Sequence, residues 1–143
     1  MKLMEDMHLI KENYDIDYTS NLVSFLDLFK LQERIACKFG PLLKQYLLIY
    51  GYIGFKSIEF YGINSKQFEN SDLITQTLYL HKYYTKTVGL IAFENQGEGD
   101  YYLVDSNDKV FCYNSETDHL QECNLDLIEY ILKRFKEVEN GTF

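Results

Sequence analysis

The fold is decided by residues 88–113, which read VGLIAFENQGEGDYYLVDSNDKVFCY. The stretch opens with an apolar run that is typical of a buried strand. Gly97 and Gly99 follow and indicate a turn, after which residues 101–105 and 109–113 are predicted to form two strands joined by a short loop. Because consecutive strands joined by short turns pair antiparallel, the sequence predicts an α+β protein and not an α/β one.

Amphipathic patterns predict helices before, between and after these strands. We expect an antiparallel sheet of about five to six strands, including short strands near residues 55–61 and 120–123, wrapped by N-terminal, middle and C-terminal helices. The predicted helices lie at residues 1–13, 41–50, 71–83 and 125–139, with a further helical stretch at residues 22–39. Residues 1–143 are expected to form a single domain, with residues 1–19 as an N-terminal extension.

The second predicted helix has a regular apolar face. Apolar side chains recur there at i, i+3, i+4 and i+7, a spacing that predicts one side turned towards the core. These side chains are Leu22, Phe25, Leu26 and Phe29. The three polar residues before them, at positions 19–21, are candidate N-caps.

The chain is acidic, and its charge is unevenly distributed. The formal net charge is −8. Residues 94–118 contain seven acidic residues and one basic residue, Lys109, which gives a local charge of −6. Such a field repels nucleic acid and anionic membranes and attracts basic partners. Composition alone also fits a simpler interpretation, in which an acidic surface keeps a small protein soluble.

Phosphate and calcium motifs are incomplete in this sequence. The glycine pattern at residues 97–99 lacks the third glycine of a phosphate loop, and Glu98 within it would repel a phosphate. A run resembling a calcium loop begins at Asp105. Lys109 and Val110, however, occupy the positions where such a loop needs an oxygen ligand and a glycine.

Zinc-binding and catalytic patterns are also incomplete. Cys112, His119 and Cys123 lack the paired spacing that anchors a zinc site. His8 and His81 belong to no recognisable arrangement of nucleophile and base. We therefore expect no metal, no cofactor and no catalytic residue, and we predict that the protein is not an enzyme.

No export or membrane-spanning pattern is apparent. Glu5 and Asp6 interrupt the N-terminal segment where a signal peptide needs an apolar core. The longest apolar stretch, residues 46–55, is broken by two glycines and is too short to cross a bilayer. We therefore expect a cytoplasmic protein whose three cysteines are free thiols.

Three motifs, in order, carry a resemblance to a known family. Residues 31–47 contain a helix, a Pro-containing break and a second helix, and residues 58–63 end in Tyr-Gly-Ile. Residues 89–105 contain the pattern Glu-x-x-Gly-x-Gly-Asp-Tyr between two strands. These motifs resemble the SUKH superfamily, although the break reads Gly-Pro where the family commonly has Leu-Pro. Many bacterial members are immunity proteins that neutralise toxins, and a yeast relative regulates cell-wall synthesis.

The resemblance and the charge together predict a protein-binding module. The leading hypothesis is an immunity protein that binds a cognate toxin, basic and of the nuclease type. The alternative is a regulatory or scaffold protein without a toxin partner. No nucleic-acid or membrane partner is expected. The predicted partner-binding residues are Glu94, Glu98, Asp100, Tyr101, Asp105, Asp108, Tyr113, Glu116 and Asp118, with the tyrosines as aromatic anchors or, alternatively, as core residues.

Overall fold

Helices flank and interrupt the strands in a computed structural model that describes residues 2–19, 23–63 and 71–141. The α-helices are α1 (Lys2–Asn13), α2 (Phe25–Ile35), α3 (Pro41–Ile49), α4 (Leu73–Tyr83) and α5 (Leu127–Glu139). The strands are β1 (Asp17–Tyr18), β2 (Ile53–Phe55), β3 (Ile58–Phe60), β4 (Ile91–Gly97), β5 (Asp100–Val104), β6 (Lys109–Asn114) and β7 (His119–Asp126). The predicted α+β class is confirmed.

The strands pair antiparallel, as predicted, but they form two sheets. One has the order β1-β2-β3 and the other β4-β5-β6-β7. The backbone N–H of Tyr61 donates to the carbonyl oxygen of Phe93 at 2.7 Å, which connects the end of β3 to β4. The strand predicted at residues 55–61 belongs to a hairpin, because Lys56 has a φ of 53° and turns the chain between β2 and β3.

The strand predicted at the start of the fold-deciding stretch begins three residues later than expected. Val88 is exposed, and Gly89 has a φ of 92°, so the apolar run starts in a turn. Ile91 is the first residue of β4 and is fully buried. The final strand, β7, is longer than predicted. It runs from His119 to Asp126, and Asp126 is also the N-cap of α5.

Aromatic rings form the core where the two sheets meet. The ring of Phe93 stacks on Phe60 with centroids 4.8 Å apart and meets the ring of Tyr46 edge-on at 5.0 Å. Phe60 also stacks on Phe135 of α5, at 5.9 Å. These four side chains are almost fully buried. Both sheets therefore share one core with α3 and α5.

Helices cover both faces of the four-stranded sheet. Tyr130 of α5 stacks on Tyr102 of β5, with ring centroids 5.1 Å apart. Successive residues of a strand point to opposite faces, so Tyr101 lies on the other side. Its cross-strand partner Tyr113 contacts Tyr84, which follows α4, at 5.5 Å. The end of α4 and the body of α5 therefore lie on opposite faces.

The N-terminal segment packs against the rest of the chain. Met7 and Ile10 of α1 are buried. The hydroxyl of Tyr50 donates to the carbonyl oxygen of Met7 at 2.6 Å, and the backbone N–H of Lys11 donates to the same hydroxyl at 3.2 Å. Within the described residues, α1 thus contributes side chains to the core.

The second helix turns a different side to the core than the sequence predicts. Leu28 and Ile35 are buried, whereas Phe25, Leu26 and Phe29 are 75%, 62% and 59% exposed. The predicted inward face is therefore wrong for these three residues, because α2 packs through a side rotated around its axis. Leu22 of the predicted face lies outside the described residues.

The ends of α2 also differ from the prediction. Ser24 is the N-cap, and it forms a capping box with Asp27. Thr19 precedes the helix without capping it, and the other two predicted caps, at positions 20 and 21, lie outside the described residues. The helix ends at Ile35, where Ala36 takes the left-handed conformation with a φ of 55°. The predicted continuation to residue 39 is therefore wrong.

Candidate protein-binding surface

The acidic stretch of the sequence is divided between two opposite ends of the four-stranded sheet. The turn between β4 and β5 and the turn between β6 and β7 lie at one end, as successive antiparallel strands require. The turn between β5 and β6 lies at the other end and carries Asp105 and Asp108. The local charge of −6 is therefore not one continuous surface.

At the first end, two turns are joined by hydrogen bonds. The side-chain amide of Asn114 donates to a carboxylate oxygen of Asp100 at 2.7 Å and to the carbonyl oxygen of Glu98 at 3.4 Å. The backbone N–H of Ser115 donates to the carbonyl oxygen of Gly99 at 2.9 Å. These contacts bring together four of the predicted residues, which we call the acidic end: Glu98, Asp100, Glu116 and Asp118.

The backbone of the acidic end is built from left-handed residues. Glu98 and Gly99 have φ values of 55° and 83° and form the two-residue turn between β4 and β5. Positive φ at both central residues is the geometry of a tight hairpin turn matched to strand twist. Asp118 also has a positive φ, 54°. The turns thus hold Glu98 and Asp118 in defined positions.

A group of tyrosines adjoins the acidic end. Tyr84 lies 5.5 Å from the ring of Tyr113 and 6.2 Å from that of Tyr79, and Tyr79 lies 5.0 Å from Tyr83. Tyr79 and Tyr83 are 44% and 58% exposed. We call Tyr79, Tyr83, Tyr84 and Tyr101 the tyrosine group. Tyr101 belongs to it because it is the cross-strand partner of Tyr113, whose ring contacts Tyr84.

Sequence reasoning missed the helical members of the tyrosine group. The available signal was the i, i+4 spacing of Tyr79 and Tyr83, which places both on one side of α4. That side is separate from the buried one, which carries Leu73, Thr77 and Leu80. Two large aromatic side chains on the outward side of this helix indicate an exposed aromatic surface.

Asp118 connects the acidic end to the tyrosine group. The buried Tyr113 donates its hydroxyl to an Asp118 carboxylate oxygen at 2.5 Å. The ammonium of Lys86 lies 3.5 Å from the other oxygen. The hydroxyl of Tyr113, and then Lys86, lower the pKa of Asp118. Burial and the Asp118 carboxylate raise the pKa of Tyr113 to about 12.

Glu94 does not belong to this surface. It is 2% exposed, and its carboxylate receives the guanidinium of Arg134 in a two-pronged ion pair. The hydroxyl of Tyr130 donates to the same carboxylate, and the side-chain amide of Gln96 donates to that hydroxyl at 2.9 Å. The prediction that Glu94 contacts a partner is corrected, because its carboxylate is fully engaged between β4 and α5.

Asp108 is likewise structural. Its carboxylate accepts hydrogen bonds from the backbone N–H groups of Leu42, at 2.8 Å, and Leu43, at 3.0 Å, and so caps α3 from another part of the chain. Gly40 is required beside it, because a Cβ there would lie 2.4 Å from an Asp108 oxygen. Burial raises the pKa of Asp108 although these two hydrogen bonds oppose the shift. Asp108 is therefore not a partner-binding charge.

Two further predicted residues are not part of the exposed surface of the acidic end. Asp105 is at the opposite end of the sheet, where its carboxylate accepts hydrogen bonds from the N–H groups of Asn107 and Lys109, both at 2.9 Å. Tyr113 is 1% exposed, and only its hydroxyl reaches the acidic end, where it donates to Asp118. The predicted role of Tyr113 as an aromatic anchor is corrected, because its ring lies in the core.

The described residues show neither a metal cluster nor a membrane span. No group of three or more His, Cys, Asp or Glu side chains among them is arranged to hold a metal ion. No helix in the same residues is both long and apolar enough to cross a membrane. Cys37, Cys112 and Cys123 are free thiols. The surface therefore offers charge, hydrogen-bonding groups and aromatic rings.

The fold and the comparison of sequences define the class of this protein. Two antiparallel sheets with helices from both ends of the chain have the architecture expected for a SUKH domain. The family model described as SUKH_5: SMI1-KNR4 cell-wall matches residues 4–136. The chain belongs to this family, and the resemblance to the SUKH superfamily is confirmed. No curated protein matches the chain.

Proposed function

We propose that this protein acts by binding another protein, and that the partner is a basic toxin domain that it neutralises by direct contact. The observation that carries the proposal is the position of the acidic end beside the tyrosine group, in which Tyr79 and Tyr83 are exposed. Membership in a family associated with immunity and regulatory proteins supports the same class of function.

The charges of the acidic end are largely free to act on a partner. Glu98, Asp100 and Glu116 have no basic side chain within 4 Å in the part of the chain that the structure describes. Their field therefore extends into solvent instead of being neutralised locally. A concentrated negative field accelerates the encounter with a basic partner and orients it.

The tyrosines supply the second half of a protein-binding surface. Aromatic side chains dominate the binding energy of interfaces, since they bury a large area at a low cost in side-chain entropy. The face of a tyrosine ring also attracts Lys and Arg side chains. A basic partner would thus meet carboxylates at the acidic end and the aromatic face of Tyr79, whereas the ammonium of Lys82 already lies 5.2 Å from the ring centroid of Tyr83.

A toxin of the nuclease type fits this chemistry. Proteins that grip nucleic acid carry Lys and Arg side chains for the phosphates. An acidic inhibitor that covers such a surface needs no chemistry of its own, because occupying the site is sufficient. The surface described here offers carboxylates and hydrogen-bonding groups to those same side chains.

A regulatory or scaffold role remains the second candidate, because the family description refers to the cell wall. The two candidates differ in the partner. A toxin domain encoded beside the gene of this protein would favour immunity. Co-expression with that domain would restore growth if this protein neutralises it, whereas a scaffold would leave the toxicity unchanged.

The tyrosine group provides a direct test of the binding surface. We expect Tyr83→Ala to weaken binding to a toxin domain encoded beside its gene by about fivefold or more, since truncating an interface anchor costs above about 1 kcal/mol. Tyr18→Ala is the matched control, because Tyr18 is 41% exposed but lies on β1 of the other sheet. Calorimetry measures both. Equal affinities for the two variants would place the interface elsewhere.

A further inference from the structure

The exposed side of α2 carries an apolar and charged pattern that the proposed toxin-binding surface does not use. Leu26, Phe29, Lys30 and Glu33 follow the i, i+3, i+4, i+7 rule and therefore share one face. All four are exposed. Phe25 borders this face and is the most exposed large apolar side chain of the described residues.

A groove lies at the other end of the same helix. It has a volume of about 530 Å³, and Phe29, Ala36, Cys37, Lys38 and Lys44 contribute to its walls. Phe25 and Ala36 are eleven positions apart, which corresponds to about 16 Å along a helix. The helix thus presents protruding apolar side chains at its N-terminal end and a recess at its C-terminal end.

A projection and a recess on one helix are self-complementary under two-fold symmetry. If two copies of α2 pack antiparallel, Phe25 and Leu26 of each copy lie over the groove of the other. In such an interface residue i meets residue j, and j meets i, so each contact occurs twice.

The charges on the exposed face agree with the same arrangement. In the register whose two-fold axis passes between Leu31 and Gln32 of α2, Lys30 of each copy faces Glu33 of the other. No ion pair engages Lys30 or Glu33 within the described residues. Two acid–base pairs across the axis would therefore form without breaking existing ones.

From this geometry we infer that the protein forms a two-fold homodimer through antiparallel packing of α2 against α2 of a second copy. The occupant of the apolar face is thus another copy of this chain. This interface is distinct from the acidic end and the tyrosine group. The dimer forms whether or not the toxin-binding proposal holds.

Sedimentation of the full-length chain over a range of concentrations tests the dimer. Wild type should sediment at twice the 17.0 kDa of one chain. Phe29→Asp should raise the dissociation constant about a hundredfold or more, because each dimer loses two buried aromatic contacts. Val88→Asp, at an equally exposed site, should leave the dimer intact. Phe25→Asp, at the most exposed position of the face, repeats the test independently.

A charge exchange tests the register itself. Lys30→Glu and Glu33→Lys should each weaken the homodimer, because each places like charges across the axis twice. The double variant, Lys30→Glu with Glu33→Lys, and a mixture of the two single variants should both recover dimerisation. Lys133→Glu on α5 is the control for net charge. Wild type that stays at the mass of one chain, or single variants that are not rescued by exchange, would overturn the inference.

Discussion

The carboxylate of Glu94 and the guanidinium of Arg134 form a buried ion pair between β4 and α5, with two contacts of 2.9 Å. Both residues are less than a tenth exposed. Charges removed from water are costly unless they are paired and hydrogen-bonded. The pair joins α5 to the four-stranded sheet, and Tyr130 adds a hydroxyl donor to the same carboxylate.

Removing one partner of this pair should be strongly destabilising. We expect Arg134→Met to lower the free energy of unfolding by about 3–5 kcal/mol, because it leaves the Glu94 charge buried and unpaired. The double variant with Glu94→Gln should lose less, since no bare charge then remains. Urea unfolding measures both. Glu98→Gln, at an exposed position, should stay within about 0.5 kcal/mol of wild type; a double variant no more stable than Arg134→Met would contradict this account.

The sequence predicts the larger elements well because their signals are local. α3 begins at Pro41 after Gly40, as the Gly-Pro pair indicates, and α4 begins after an N-cap at Asp72. The signal for the turn at Gly97 and Gly99 is equally local, since two glycines between two apolar strands indicate a turn and little else. The antiparallel order of the last four strands followed from such turns.

The errors arise where tertiary contacts decide. Asp108 has the sequence context of any acidic turn residue, and its role depends on Leu42 and Leu43, more than sixty positions away along the chain. The burial of Glu94 depends on its ion pair with Arg134 of α5, which the sequence around Glu94 does not reveal. The sequence predicts the inward face of α2 from spacing alone, and spacing does not show which of two apolar sides meets the core.

The turn between β4 and β5 should depend on Gly99 more than on Gly97. Both have positive φ, 83° and 91°, which costs other residues about 1–2 kcal/mol. A Cβ at Gly99 would also lie 2.9 Å from the hydroxyl of Ser115, whereas one at Gly97 meets nothing within 4 Å. Chemical unfolding should show a larger loss for Gly99→Ala than for Gly97→Ala. Equal losses of stability would mean that Ser115 moves away from the added Cβ at no cost in free energy.

The protein should lose stability at alkaline pH, and Tyr113 should contribute. Burial and Asp118 raise the pKa of Tyr113 to about 12, from an ordinary value of 10.0. Between these values the folded state holds a proton that the unfolded state releases, so stability falls as the pH rises. One such group contributes a slope of up to about 1.4 kcal/mol per pH unit. Urea unfolding at several pH values should give a shallower decline for Tyr113→Phe, and an identical decline would contradict the assignment.

The last prediction concerns the acidic end and the rate of association with a basic toxin domain. Glu98 and Glu116 are exposed and make no side-chain hydrogen bond or ion pair within the described residues. Replacing both with Gln should therefore remove two charges without loosening the turns. Association should slow, whereas dissociation, governed by buried contacts, should change little. Surface plasmon resonance measures both rates.

Salt and a matched variant complete this test. Exposed charges are screened within about 8 Å at physiological ionic strength. Added salt should therefore slow the association of wild type with the toxin domain more than that of the Glu98→Gln, Glu116→Gln variant. The control is Glu12→Gln with Glu139→Gln, which removes the same charge from α1 and α5 and leaves the acidic end intact. If the two double variants slow association equally, only the net charge matters, and the acidic end is not the steering surface. A local effect of Glu98 and Glu116 requires the control to remain close to wild type.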